Sequence, residues 1–309
     1  MDDSTVLVLA EPTDPLLAML EALPDSTRIA VGNAPEAFDG AAPEADVILH
    51  WTGSRELMRQ VWLMAPRVRW VHSRSAGLDA FWFPELIESS VPVTNARGVF
   101  SDILAEFAIG AVLFFAKGFR RMVRSQEAGV WDQFDTVRVA GRKMAIAGLG
   151  DIGKAAAQRA EAMGMEVLPL RRGMPKPEKL ELLAHADYVL LSAPLTPETH
   201  GMIGEAELRA MRNDAVLINL GRGPLVDEAA LIAALGEKRI GGAALDVFDQ
   251  EPLPAGHPFY SLENVLLSAH SADHTPDWKE LTMRMFLENF ERYRKGEPLR
   301  NVVDKGKGY

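Results

Sequence analysis

Apolar and polar positions alternate along this chain in two rhythms. Short runs rich in Val, Ile and Leu are separated by longer stretches in which apolar side chains recur every third or fourth position. Runs of the first kind are typical of parallel strands covered by helices on both faces, and stretches of the second kind of amphipathic helices. The first third offers strands at 5–9, 28–31, 46–50, 68–72 and 92–94, with helices at 15–23 and 54–64 between them. A second series opens at 143–147 and continues at 166–170, 188–192, 215–219, 242–245 and 265–267. The pattern predicts the α/β class, with two doubly wound parallel-sheet domains.

Two long segments fall outside the alternation. Residues 101–119 are almost uniformly apolar apart from Glu106, which predicts a helix N-capped by Ser101 and buried on all sides. Residues 277–295 form an amphipathic pattern, with Trp278, Leu281, Met285, Leu287 and Phe290 available for packing. That last helix is expected to return to the first domain. The domains then read as 1–98 with 276–309, discontinuous, and 99–275 inserted between them. No repeat at a short fixed period interrupts this organisation.

Composition narrows the function classes. A chain of 309 residues suits two domains, each large enough for its own core. With 43 acidic against 33 basic side chains the net charge is -10, which argues against a nucleic-acid partner. The absence of cysteine excludes disulfides, thiolate metal sites and catalytic thiols, and fits a reducing compartment, the cytoplasm being expected. The opening Met1-Asp2-Asp3 leads straight into a strand, so no signal peptide is expected. The most apolar stretch, 107–116, is too short to span a bilayer, so no membrane partner is expected either. No metal site is read in the sequence.

The first chemical signal is Gly148-Leu149-Gly150-Asp151-Ile152-Gly153, which fits G-x-G-x-x-G. Taken alone that hexamer is weak. Here it follows a predicted strand and opens a predicted helix over 154–163, as a dinucleotide fingerprint requires: glycines allow close backbone approach and the helix N-terminus faces a pyrophosphate. The next strand, 166–170, ends in Arg171-Arg172 where an NAD site would place an acidic residue on the ribose. Glu166 lies too early in that strand to serve. Two guanidiniums suit a 2′-phosphate, so NADP(H) is favoured, with NAD(H) as the alternative.

Three further strand ends carry polar residues that should converge on the same crevice: Asn219-Leu220-Gly221-Arg222-Gly223, Asp246-Val247-Phe248-Asp249-Gln250-Glu251-Pro252-Leu253-Pro254, and Ala269-His270-Ser271-Ala272-Asp273. With the glycine fingerprint, these motifs make the chain resemble the D-isomer-specific 2-hydroxyacid dehydrogenases, of the glyoxylate/hydroxypyruvate reductase kind, over nearly its full length. The resemblance implies a Rossmann cofactor domain inserted into a smaller flavodoxin-like substrate domain. It also implies hydride transfer between NAD(P)(H) and a small 2-keto acid or D-2-hydroxy acid, with Arg222, Glu251 and His270 as the catalytic set. Arg222 can fork onto the substrate carboxylate and polarise the ketone, and His270 can give the proton that the developing alkoxide needs. Glu251 beside His270 is expected to favour the imidazolium.

Secondary roles follow from the same resemblance. Gly148, Gly150, Asp151, Ile152, Gly153, Arg171, Arg172, Pro194, Thr199, Leu220 and Asp246 are expected around the cofactor. The segment with Ala76, Gly77 and Leu78 is expected to meet the substrate carboxylate through backbone amides. Trp51 reads equally as core and as pocket wall. A homodimer through the cofactor domains is implied, with the 101–119 helix and the segment near Trp131 contributing. Two positions depart from the family pattern: Ala269 precedes His270 where Pro is common, and Asp273 stands where a small residue is usual. If Asp273 faces the pocket it should disfavour a second negative charge on the substrate. Alternatives are a phosphite- or formate-type dehydrogenase and a dinucleotide-sensing interaction protein; Glu251, where the formate branch has Gln, speaks against formate. The chain also stops after one closing helix, which disfavours the phosphoglycerate dehydrogenases that append a regulatory domain.

Overall fold

The computed structural model describes residues 3–52, 54–79 and 81–307; Met1, Asp2, Gly53, Ala80, Gly308 and Tyr309 lie outside the described residues, including the first two positions of the signal-peptide reading. The chain divides into two units, Met1–Phe100 with Thr275–Tyr309, and Ser101–His274.

The first unit holds β1 (Thr5–Leu9), β2 (Arg28–Gly32), β3 (Val47–His50), α1 (Arg55–Met64), β4 (Trp70–Ser73), α2 (Pro84–Glu88) and β5 (Val93–Thr94). Its strands are all parallel in the order β2-β1-β3-β4-β5, the flavodoxin-like arrangement. Alternation along each strand explains the unbroken apolar runs. Leu7, Leu9, Ile48 and Val71 join one core layer with Leu57, Met58 and Val61 of α1, whereas Val6, Val8, Leu49 and Trp70 join another on the opposite side. Both faces are covered, so both sets are mainly apolar. Residues 15–22 form a 3-10 helix rather than an α-helix, with the Asp14 side chain accepting from Leu16 N at 2.9 Å.

The second unit runs α3 (Ser101–Lys117), α4 (Phe119–Glu127), β6 (Lys143–Ala147), α5 (Asp151–Ala162), β7 (Glu166–Leu170), α6 (Lys176–His185), β8 (Tyr188–Leu191), α7 (Glu205–Ala210), β9 (Val216–Asn219), α8 (Glu228–Gly236), β10 (Gly242–Leu245) and β11 (Val265–Leu267). The strand order is β11-β10-β9-β8-β6-β7, all parallel. The chain reverses direction of winding between β6 and β8, and a crevice opens there at the carboxyl ends of the strands.

Two expectations about helices are corrected. The predicted single helix over 101–119 is two, broken at Gly118, whose φ of +64° leaves the helical region. Nor is it buried on all sides: Leu104, Ala105, Ala108, Ala111, Val112 and Ala116 form its buried face, α5 lies against it, and Asp102, Glu106 and Gly110 face outward. Small residues on the buried stripe allow that close helix contact, so high apolarity here marks tight packing rather than burial all round. The closing helix α9 (Trp278–Lys295) packs in the first unit, but through Thr282, Met283, Phe286, Asn289 and Phe290. Leu281, Met285 and Leu287 are only partly buried, because the polar Thr282 and Asn289 lie on the inner face and displaced the apparent stripe. Asn289 is satisfied there by Arg300, donating to its carbonyl at 3.1 Å and accepting from its amide at 2.8 Å.

The first unit also buries two histidines that the chemistry does not use. His72 is sealed in the core, with Nδ1 at 2.7 Å from Thr94 Oγ1 and Nε2 without a partner among the described residues. Burial holds His72 down at about 3 and His50 at about 4, against 6.5 when exposed. The neutral forms are therefore favoured by folding, and this contribution is complete above pH 6.5 and lost as the pH falls towards 3–4. Each histidine removes about 1.4 kcal/mol of stability per pH unit inside that window. Urea midpoints should fall between pH 7 and pH 5, before most carboxylates titrate; a flat profile there would show that both rings accept protons without unfolding.

Candidate active site

The second unit brings the fingerprint, the Gly-Arg-Gly turn and the late histidine loop to the carboxyl edge of one sheet. β6 ends at Ala147 and the chain turns through Gly148, at φ +94°, where a Cβ would come within 2.5 Å of Ala193 N in the loop after β8. Only glycine permits that approach. Gly153 packs on the same turn, its own Cβ position 2.1 Å from Gly148 O. Gly150 differs: it caps α5, and nothing lies within 4 Å of where its side chain would be. The space next to Gly150 at the N-terminus of α5 is thus open, which fits a cofactor pyrophosphate there.

Around that opening the expected cofactor residues are placed as follows. Arg171 and Arg172 are exposed immediately after β7, and Arg172 forms a solvent-facing ion pair with Glu198 at 3.5 Å. Pro194 is half-buried in the loop after β8. Thr199 is occupied within that loop, its hydroxyl donating to Pro194 O at 2.7 Å and accepting from Thr196 N at 2.8 Å. It shapes the loop wall rather than presenting a free hydroxyl. Leu220 is buried and its amide donates to Leu191 O at 3.0 Å, tying the end of β9 to β8.

Arg222 stands on a turn that its neighbours fix tightly. Asn219 bridges the turn, its Oδ1 accepting from Gly221 N at 3.1 Å and its Nδ2 donating to Arg222 O at 2.9 Å. Gly223 lies so close to the next loop that a Cβ would sit 2.0 Å from Phe248 C. The Arg222 Nη1 donates to Gly221 O at 2.7 Å, which orients the half-exposed guanidinium. Asn219 was not singled out from the sequence; an Asn closing a strand two residues before a Gly turn is the signal that points to it.

His270 and Glu251 meet. His270 Nδ1 donates to Glu251 Oε2 at 2.6 Å, and Glu251 Oε1 accepts from Phe248 N at 2.9 Å. The carboxylate is thereby held by its own loop while it holds the ring. A carboxylate accepts only, so Nδ1 carries hydrogen and Nε2 is the nitrogen left for a substrate. His270 itself has φ +49°, a conformation rare outside glycine. Asp246 enforces it: its carbonyl accepts from His270 N at 2.9 Å, and its buried Oδ1 accepts from Ser271 N at 2.9 Å and Ala272 N at 3.0 Å. Asp246 was expected near the nicotinamide amide; its Oδ1 is committed to the loop that presents the histidine.

Asp273 follows in that loop. Its Oδ1 has no hydrogen-bond partner among the described residues, and His274 Nε2 lies 3.6 Å away. Burial, reinforced by the Asp246 carboxylate, pushes the Asp273 carboxyl above the usual range, while His274 and His270 oppose the shift. Among the described residues no cluster of His, Asp and Glu could hold a metal ion.

The residues expected from the first unit are described within it. Trp51, which read equally as core and as pocket wall, is 2% exposed in the first unit, packs with Val8, Leu49 and Trp70, and donates from Nε1 to Asp14 Oδ2 at 2.8 Å. Leu78 is buried, Gly77 exposed, and Ala76 O accepts from Asn95 Nδ2 at 2.7 Å. Among the described residues no acceptor takes the amides of Gly77 and Leu78.

Comparison with known proteins places this arrangement. The profile of the D-isomer specific 2-hydroxyacid dehydrogenase NAD-binding domain matches residues 109–272. The chain is 36% identical over 262 residues to a glyoxylate reductase of Korarchaeum cryptofilum, covering 80% of this chain and 79% of that protein. A D-isomer specific 2-hydroxyacid dehydrogenase from Xanthobacter autotrophicus, solved with NADPH and MES, superposes with a TM-score of 0.84 at 30% identity over 100% of both chains. An NADPH-dependent glyoxylate/hydroxypyruvate reductase from Sinorhizobium meliloti, solved with NADP and sulfate, gives 0.83 at 25% identity, covering 99% of this chain and 100% of that one. The chain belongs to the D-isomer-specific 2-hydroxyacid dehydrogenase family. It is an NAD(P)-dependent oxidoreductase of that class.

Proposed function

We propose that this protein reduces a small 2-keto acid, glyoxylate or hydroxypyruvate, to the D-2-hydroxy acid, with NADPH as the preferred cofactor. The observation that carries the reading is the His270–Glu251 pair, which leaves one imidazole nitrogen for a substrate, with Arg222 held by its turn at the same carboxyl edge of the sheet. When bound, the nicotinamide supplies or receives a hydride. Arg222 binds the substrate carboxylate and polarises the adjacent carbonyl, and His270 Nε2 donates a proton to the oxygen as negative charge develops there. Glu251 positions the ring through its contact with Nδ1. In the oxidative direction the neutral imidazole takes the proton back. The relatives named glyoxylate reductase and glyoxylate/hydroxypyruvate reductase support the substrate class.

For the cofactor, Gly148, Gly150, Asp151, Ile152 and Gly153 form the pyrophosphate cradle and Arg171 with Arg172 meets the 2′-phosphate. The neighbours solved with NADPH or NADP support that choice. The second unit is accordingly the cofactor domain and the first the substrate domain, offering the amides of Gly77 and Leu78 to a carboxylate. A homodimer built through the second unit fits the apolar side chains that α4 and the following segment expose, Met122, Val123, Val130 and Trp131. The expected compartment is the cytoplasm, in keeping with a chain that has no cysteine.

The test is loss of nicotinamide absorbance when purified protein meets NADPH and each keto acid; a panel without turnover would sink the reading. The same assay decides the cofactor. Exchanging Arg171 and Arg172 for Ala should weaken NADPH roughly ten- to hundredfold, as loss of charge-assisted hydrogen bonds does, and leave NADH within about twofold. Equal effects on both would remove these arginines from the 2′-phosphate.

A further inference from the structure

Arg74, in the first unit, has no part in the site described so far. It follows β4 directly and precedes the segment whose Gly77 and Leu78 amides have no acceptor among the described residues. Its guanidinium carbon lies over two indoles, 4.9 Å from the Trp51 ring centre and 5.4 Å from that of Trp278. Trp51 is fixed in turn by its bond to Asp14, and Trp278 by contact with Phe100 at 6.1 Å between ring centres. The charge is therefore held by aromatic faces, which engage the plane of a guanidinium and leave its N–H edges for an acceptor.

Among the described residues no acceptor meets those N–H groups. The Asp14 carboxylate attracts the charge, but its two oxygens are taken by Trp51 Nε1 and Leu16 N. Burial meanwhile pulls the Arg74 guanidinium below its usual range. A half-buried guanidinium whose N–H groups meet no acceptor among the described residues keeps them available to an anion from solvent. Two indoles hold this cation on the loop that, three and four residues later, carries the two unused amides, which makes the loop a place for an anion.

We propose that Arg74 is a substrate-binding residue, its N–H edge receiving a carboxylate of the keto acid in one anion subsite with the amides of Gly77 and Leu78. This rests on the reading of the protein as a keto-acid reductase. The carboxylate has two sources, the acid group next to the ketone or a second acid group further along the molecule. Arg74 would then set which keto acids bind, without touching the proton transfer that His270 performs.

The experiment pairs calorimetric titration of the free enzyme, with oxalate and with 2-oxoglutarate as probes, with steady-state kinetics on glyoxylate and 2-oxoglutarate. Arg74→Met keeps the length of the side chain and removes its charge. It is expected to weaken binding of at least one probe and raise KM at least about tenfold, with kcat and NADPH affinity within about twofold. A rise for both substrates assigns Arg74 to the acid group beside the ketone, and a rise for 2-oxoglutarate alone to the second one. Probe affinities and KM values all within twofold of the unsubstituted enzyme would overturn the proposal and leave Arg74 as a packing residue. Arg74→Lys, which retains the charge but loses the fork, should fall between and serves if the Met variant does not fold. Were no keto acid turned over at all, the reductase reading would fail, while the titrations would still decide whether Arg74 takes an anion.

Discussion

Replacing His270 with Ala lowers kcat/KM for keto-acid reduction by about 10²- to 10⁴-fold, the range that a positioned general acid supplies. NADPH affinity stays within about twofold, because the ring touches neither the glycine turn at 148–153 nor the arginines after β7. The expectation rests on a geometry that leaves little alternative. Nδ1 is engaged with Glu251 at 2.6 Å, and the backbone is bent to φ +49° to present the ring, a strain that Asp246 sustains with three hydrogen bonds. A side chain held in that manner for packing alone would be buried, whereas His270 is 45% exposed. Single-turnover kinetics with NADPH and glyoxylate gives the readout. An unchanged rate would remove the proton donor from His270 and leave the alkoxide to solvent.

Arg222→Lys is the second large effect. The Arg222 guanidinium is anchored through Nη1 on Gly221 O, and the planar fork of a guanidinium matches the two oxygens of a carboxylate. An ammonium can point at one oxygen but cannot both anchor itself to the backbone and meet two. The expected loss is roughly 1.5–3 kcal/mol of transition-state stabilisation, or about ten- to hundredfold in kcat/KM, shared between KM and kcat. Carboxylate binding alone would appear in KM only, and polarisation of the carbonyl appears in kcat as well. The turn should survive the exchange, since Asn219 and the closeness of Gly223 to Phe248 fix its backbone without the side chain. A lysine enzyme with unaltered constants would exclude Arg222 from the substrate.

The dinucleotide cradle, the arginine turn and the histidine loop were legible because their chemistry depends on local backbone. Gly148 must adopt positive φ and Gly150 must leave space, and both demands are written as residue type within a few positions of a strand. The strands were legible for a related reason: a sheet covered on both faces favours apolar side chains, whichever way each one points. What escaped depended on partners distant in sequence. Asp246 read only as a cofactor residue, and that its Oδ1 also holds loop amides 25 and 26 positions later was not legible. The face of α9 was misplaced because Thr282 and Asn289 look solvent-exposed until Arg300, 11 positions on from Asn289, satisfies the amide. No role was legible for the Arg74 side chain, since the two indoles that hold it come from positions 51 and 278.

The proposed catalytic trio shows both sides of that division. Sequence by itself determined that Arg222, Glu251 and His270 close strands of one sheet, because parallel α/β winding delivers every strand end to the same edge. Only the tertiary structure decided that Glu251 and His270 touch, through which nitrogen, and that Trp51 belongs to the core. Periodicity and residue type encode where a backbone goes, whereas a hydrogen bond of 2.6 Å across 19 positions depends on how two loops pack, which no local pattern specifies.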